Sequence, residues 1–214
     1  MIRAVIFDMD GLLTDSEIVG LRVIKDCGKL QGYELDEAVV LQTIGSTNTA
    51  CIETYRRHYP GMNGERLFAD FHRAMLDLAR EGGIPLKKGA RELLDTLRAR
   101  GIPTAVASSS AQEVIELYLG KAGVLSCFDA LVSGMGGIAS KPAPDIFLKA
   151  AQALNTPPEE CLVLEDSVNG IKAGRAAGMT VCMVPDLFPF TDALAPYCDA
   201  VKPDLAAVIP LLDA

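Results

Sequence analysis

Four short stretches of this chain hold residues that could do chemistry together. They are Asp8-Met9-Asp10-Gly11, Ser108-Ser109-Ser110, Ser140-Lys141-Pro142 and Glu165-Asp166. Between them they offer carboxylates, hydroxyls and one lysine. Carboxylates gathered in one place repel one another unless a cation neutralises them. Hard oxygen donors without His or Cys select Mg2+ rather than zinc. A divalent cation, a lysine and hydroxyls suit a phosphate group. A carboxylate aimed at that phosphate can act as a nucleophile and form an aspartyl-phosphate. Phosphoryl transfer needs mainly positioning and charge neutralisation.

Each stretch also has an ordinary reading. A lone DxD at a strand end serves turns or helix caps. Ser108–Ser110 could cap a helix beginning near Ala111, Ser167 could cap one after Asp166, and Lys141 could be a solvated loop residue. The argument for a joint site comes from the elements that carry them. Apolar, β-rich runs at 3–7, 103–107, 130–132, 161–164 and 180–184 predict buried strands. Helical patterns at 90–100, 111–122, 144–154 and 167–177 separate them. This alternation predicts an α/β fold with a doubly wound parallel sheet. In such a sheet ligands bind beyond the carboxyl ends of the strands, where strand order reverses. If the first strand lies between the second and fourth, the stretches converge on one crevice.

One segment breaks the alternation. From residue 16 to 83 helical periodicity runs without a convincing strand, cut by turn signals near Gly32, Gly45, Pro60-Gly61 and Gly82-Gly83. Leu67, Phe71, Ala74 and Leu78 form an apolar stripe. Arg66, Asp70, Arg73, Asp77 and Arg80 form the opposite, charged one. The expected division is therefore a core of residues 1–15 and 84–214 and a helical cap of residues 16–83.

DMDGLLTDSE, VASSS, SKPAPDIF and LEDSVNGIKAG, taken together and in this order, resemble the four motifs of the haloacid-dehalogenase-type phosphotransferases. The resemblance is to the subgroup with a helical cap inserted after the first motif. That subgroup includes β-phosphoglucomutases and small sugar-phosphate phosphatases. It implies a Rossmann-like core and a Mg2+ cofactor. It also implies a role for each matching residue. Asp8 matches the nucleophile. Asp10 matches the general acid that protonates the leaving group and then deprotonates water. Ser108 and the Ser109 backbone N–H match the phosphate-binding groups, and Lys141 the lysine that neutralises phosphate and nucleophile. Asp166 matches the Mg2+ ligand, joined by Asp8 and the backbone carbonyl of Asp10. Glu165 matches a position that binds the metal or orients its waters.

The chain departs from the mutase pattern in four places. Gly20 stands where mutases have a His. Ile44 and Asn48 flank Gly45 where they have a Lys and an Arg, and Ala111 stands where they have a Lys. The expected function is Mg2+-dependent hydrolysis of a small phosphorylated metabolite such as a sugar phosphate, with a β-phosphoglucomutase as the alternative. Gly45, Ser46 and Asn48 are the candidate cap contacts to substrate, in a polar run with Thr47 and Thr49. Gly20 and Arg22 are further candidates, and Arg22 fits equally a solvated helix face with Lys25 and Lys29. A phospho-acceptor receiver domain is the alternative from another class. Its phosphorylated Asp follows the third strand, however, whereas this chain has Ser133-Gly134 there.

Composition narrows the partners. The 214 residues are 50% hydrophobic and 22% charged, with 20 Lys+Arg against 28 Asp+Glu and a net charge of −8. An acidic balance argues against nucleic acid. No apolar run reaches the ~18 residues of a membrane span. The short run before Asp8 is not a signal peptide, so the expected location is cytoplasmic. The six cysteines lie at least 16 residues apart, which excludes a CxxC site and suits a reducing compartment. No heptad seam is present, and a monomer is expected.

Overall fold

A computed structural model describes residues 1–46 and 48–213. The chain forms two compact units, residues 1–15 with 84–214 and residues 16–83. The first strand, β1 (Ala4–Phe7), belongs to the larger unit and is wholly buried. Among the described residues the smaller unit then forms the helices α1 (Ser16–Lys29), α2 (Glu37–Leu41), α3 (Asn48–His58) and α4 (Gly64–Arg80). The chain returns to the larger unit as α5 (Ala90–Ala99), β2 (Thr104–Ser108), α6 (Gln112–Lys121), β3 (Ala130–Ser133), α7 (Asp145–Ala153), β4 (Cys161–Glu165), α8 (Val168–Ala176), β5 (Thr180–Met183) and β6 (Ala200–Val201).

Among the described residues the six strands form one parallel sheet in the order β3-β2-β1-β4-β5-β6. The fold is the doubly wound α/β arrangement. Because β1 is central, Phe7 registers with Val106 of β2 and Leu164 of β4. The carboxyl ends of β1, β2 and β4 therefore lie side by side, which is what the chemistry requires. Ala4 and Ile6 face one side of the sheet, with Ala105, Ala107, Val163 and Val181, and pack with Ile146, Phe147 and Ala150 of α7 and Ile171 of α8. Val5 and Phe7 face the other side and are equally buried. Their alternation is invisible in the sequence because both faces are covered, so the strands read as continuous apolar runs. β6 was not expected; two residues are too short to register as a pattern.

In the helical unit, side chains cap two helix starts. The Asp36 carboxylate accepts from Ala38 N at 2.8 Å before α2, and Asn63 Oδ1 accepts from Arg66 N at 2.9 Å before α4. The charged stripe of α4 is a set of exposed ion pairs, Asp70 with Arg66 and Arg73, and Asp77 with Arg80. The apolar stripe differs from expectation. The fully buried positions are Leu67, Met75 and Ala79, while Phe71, Ala74 and Leu78 are half-buried. The helix packs on both α1 and α3, so its buried face is wider than one stripe. Gly20 lies buried on α1, with the Phe71 ring 3.5 Å from where a Cβ would project. No helix among the described residues is long and apolar enough to cross a membrane.

Candidate active site

The chain leaves β1 with the Asp8 N–H donating to Leu164 O of the neighbouring strand at 3.0 Å. Gly11 then turns it in a left-handed conformation, φ 80°. The turn closes through donation from Leu13 N and Thr14 N to Met9 O, each at 3.0 Å. Asp8 and Asp10 are thereby presented at the sheet edge.

Asp8 is 7% exposed, and its Oδ1 accepts from Lys141 Nζ at 2.5 Å. The same ammonium donates to Glu165 Oε1 at 2.7 Å and to Ala107 O at 3.2 Å, and lies 4.8 Å from the centre of the Phe147 ring. Two buried carboxylates thus share one lysine. The Asp8 carboxyl is raised to about 7 overall: burial pushes it up most, Lys141 pulls it down, and Glu165 and Asp10 push it up. Burial works against the Lys141 charge, but Asp8 and Glu165 outweigh it and hold the ammonium above its ordinary value.

Glu165 is fully buried. Its Oε2 accepts from Ser167 N at 2.8 Å and Ser167 Oγ at 2.9 Å. Ser167 Oγ in turn accepts from Gly170 N at 3.1 Å, capping α8. The capping role read from the sequence and the site thus coexist in one residue. Both Glu165 oxygens are engaged, Oε1 with Lys141 and Oε2 with Ser167. Gly170 makes room for this side chain: a Cβ there would lie 1.6 Å from Glu165 Oε1. Gly170→Ala should therefore lower stability by about 1–3 kcal/mol through overpacking, although Ala is the better helix former by ~1 kcal/mol. Thermal unfolding measures this. An unchanged or raised melting temperature would mean that Glu165 is not held as described.

Asp10 sits under the hydroxyls that follow β2. Its Oδ2 accepts from Ser108 Oγ at 3.2 Å and from Ser110 Oγ at 2.9 Å. Ser108 Oγ also accepts from Ser110 N at 3.0 Å, and Ser133 Oγ donates to Ser110 O at 2.7 Å. Ser110 thus fixes the Asp10 carboxylate. Ser109 is exposed at the same strand end.

Asp166 is 4% exposed. Gly11 must lack a side chain because a Cβ there would lie 2.5 Å from Asp166 Oδ2 and 3.3 Å from Asp186 Oδ2. Asp186 was not singled out from the sequence. Its signal was available: it is the first acid after β5, at the same sheet edge. Carboxylate oxygens of Asp166 and Asp186 lie within 4.8 Å of each other, and Asp186 Oδ2 is buried without a hydrogen-bond partner. All-oxygen donors with a buried, unsatisfied carboxylate oxygen fit a hard cation. Asp8, Asp166 and the Asp10 carbonyl could hold it.

The remaining sequence candidates belong to the helical unit. Gly45 has φ 71° with open space where a Cβ would be, and Ser46 N donates to Thr43 O at 3.1 Å. Asn48 opens α3 and is exposed, as is Arg22 on α1. Thr47 lies outside the described residues.

A sequence profile for haloacid dehalogenase-like hydrolases matches residues 2–178. A probable pseudouridine-5'-phosphatase of Drosophila melanogaster is 35% identical over 191 residues, 85% of this chain and 80% of that protein. Hexitol phosphatase B of Escherichia coli is 33% identical over 187 residues, 86% of this chain and 84% of that protein. Among solved structures, a HAD family hydrolase of Deinococcus radiodurans with bound phosphate and sodium superposes with a TM-score of 0.84. It is 29% identical over 99% of this chain and 95% of that one.

Proposed function

The chain belongs to the haloacid dehalogenase-like hydrolases and is a phosphoric monoester hydrolase; from that premise and the site geometry we propose a Mg2+-dependent phosphatase of a small phosphorylated metabolite, such as a sugar phosphate, working through an aspartyl-phosphate on Asp8. The observation that carries this reading is the buried Lys141 bridging Asp8 and Glu165 at one strand edge. The similarity to phosphatases of a nucleoside phosphate and a hexitol phosphate supports the substrate class.

In this reading Lys141 orients the Asp8 carboxylate and neutralises charge on the incoming phosphoryl group. An Asp8 oxygen attacks phosphorus, and the bond from phosphorus to the ester oxygen breaks. Asp10 gives its proton to the leaving oxygen. It then takes a proton from water, which attacks the phosphorus of the aspartyl-phosphate and releases phosphate and free Asp8. Ser110 holds Asp10 ready for both transfers, and the Ser108 hydroxyl turns its one proton from Asp10 to the phosphate, whose oxygens it holds with the Ser109 N–H. Asp8, Asp166 and the Asp10 carbonyl would hold Mg2+, which would supply charge neutralisation there. Gly45, Ser46 and Asn48 supply substrate contacts from the helical unit. The six cysteines are free thiols, which suits a reducing cytoplasm.

The test is phosphate release from a panel of phosphomonoesters with and without Mg2+. Chelation should cut the rate by at least about 100-fold, and added Mg2+ should restore it. Activity undiminished by chelator would overturn the metal assignment. Glucose 6-phosphate formed from glucose 1-phosphate with a trace of bisphosphate, in place of free phosphate, would indicate a mutase.

A further inference from the structure

We infer that Asp186 is a further residue of the cation site, set in position by Lys87; this rests on the proposed metal-dependent reading. The Asp186 side chain is 4% exposed. Its Oδ1 accepts from Lys87 Nζ, while its Oδ2 is buried with no hydrogen-bond partner. That oxygen and Asp166 Oδ2 converge on the space left open by Gly11. Two carboxylates buried this close are unfavourable without a cation, and Lys87 relieves only the far side of one of them. Lys87 is itself shared: it donates to Asp15 Oδ1 at 3.0 Å. Asp15 lies where the two connections to the helical unit run side by side, Asp15 N donating to Pro85 O at 2.9 Å and Lys87 N to Leu13 O at 2.9 Å. The lysine therefore locks the Asp186 carboxylate against a hydrogen-bonded ribbon and leaves Oδ2 facing Asp166. Mg2+ keeps several of its waters, and outer-shell acceptors for such waters tune metal affinity. Asp186 is a positioning residue of this kind.

The experiment measures Mg2+ affinity of the full chain by calorimetry and by metal-induced thermal stabilisation, without substrate. Asp186→Asn keeps an oxygen to accept from Lys87, so a merely structural role survives it. The variant should bind Mg2+ about 10–100-fold more weakly. Its metal-free melting temperature should not fall, because a like charge beside Asp166 is gone. Glu159→Gln, an exposed change of the same charge, should leave affinity at the wild-type value. If Asp186→Asn does not fold, Asp186→Glu displaces the carboxylate by one methylene and should weaken binding by more than about threefold. A Kd within about threefold of wild type in the folded variant overturns the inference. Wild-type protein that binds no Mg2+, or binding indifferent to Asp166→Asn, would instead sink the metal-dependent reading itself.

Discussion

Asp8→Asn should lower turnover by ~10^4-fold or more, on the scale seen when a nucleophile is removed from other hydrolases. The amide keeps the shape of the carboxylate and can still accept from Lys141, whose ammonium lies 2.5 Å from Asp8 Oδ1. What it loses is the charge and the oxygen proposed as the nucleophile. When both carboxylates are ionised, Asp8 and Glu165 set two negative charges against the one positive charge of Lys141 in a buried place. Removing one negative charge leaves the Lys141–Glu165 pair neutral, so the melting temperature of the metal-free variant should hold or rise. Steady-state phosphate release and thermal unfolding together separate lost chemistry from lost folding. Turnover within tenfold of wild type by a folded variant would rule out Asp8 as nucleophile.

Lys141→Met should have the largest effect on stability. It removes the cation that pairs with Glu165, which is fully buried, and leaves the Asp8 carboxylate beside it. Breaking a buried pair by deleting one partner costs roughly 3–5 kcal/mol. For a chain of this size that corresponds to a melting-temperature fall of roughly 6–20 °C. The double variant Lys141→Met with Glu165→Gln should recover much of the loss. Its neutral amide can still accept from Ser167 and no longer repels Asp8. A single-variant loss under about 1 kcal/mol would place the two carboxylates in a far wetter setting than their burial indicates. Phosphatase activity should be lost in both variants, because neither restores the cation beside Asp8.

The two substitutions probe residues that the sequence marks in different ways. Asp8 and Asp10 announce themselves because a strand ends there and two acids follow in one turn. Lys141 sits in a loop before Pro142 with no periodicity to place it; only its motif singles it out. Its partners, Asp8 and Glu165, lie 133 and 24 residues away along the chain. The small residues behave similarly. Gly170 reads as a weak point in a helix until the Glu165 carboxylate is found where its Cβ would be. Gly20 stands at a motif position that suggested substrate contact, and the structure finds it against Phe71.

The first five strands and the helical interruption after β1 were legible in the sequence, whereas the strand order, with β1 between β2 and β4, was only a condition there and was supplied by the structure. What was legible depends on local apolar runs and turn residues, which the chain writes out in order. Side-chain pairing was not legible. The Lys87–Asp186 contact joins residues 99 positions apart and depends on where β5 ends relative to the returning chain at Pro85–Lys87. The two hydroxyls on Asp10 depend on the register of β2 beside β1. Such contacts follow from packing geometry, which local pattern does not encode. The sequence by itself therefore determined the kind of groups at the strand ends. The tertiary structure decided which carboxylates the lysine holds, which one the serines hold, and which one keeps a buried oxygen without a hydrogen-bond partner.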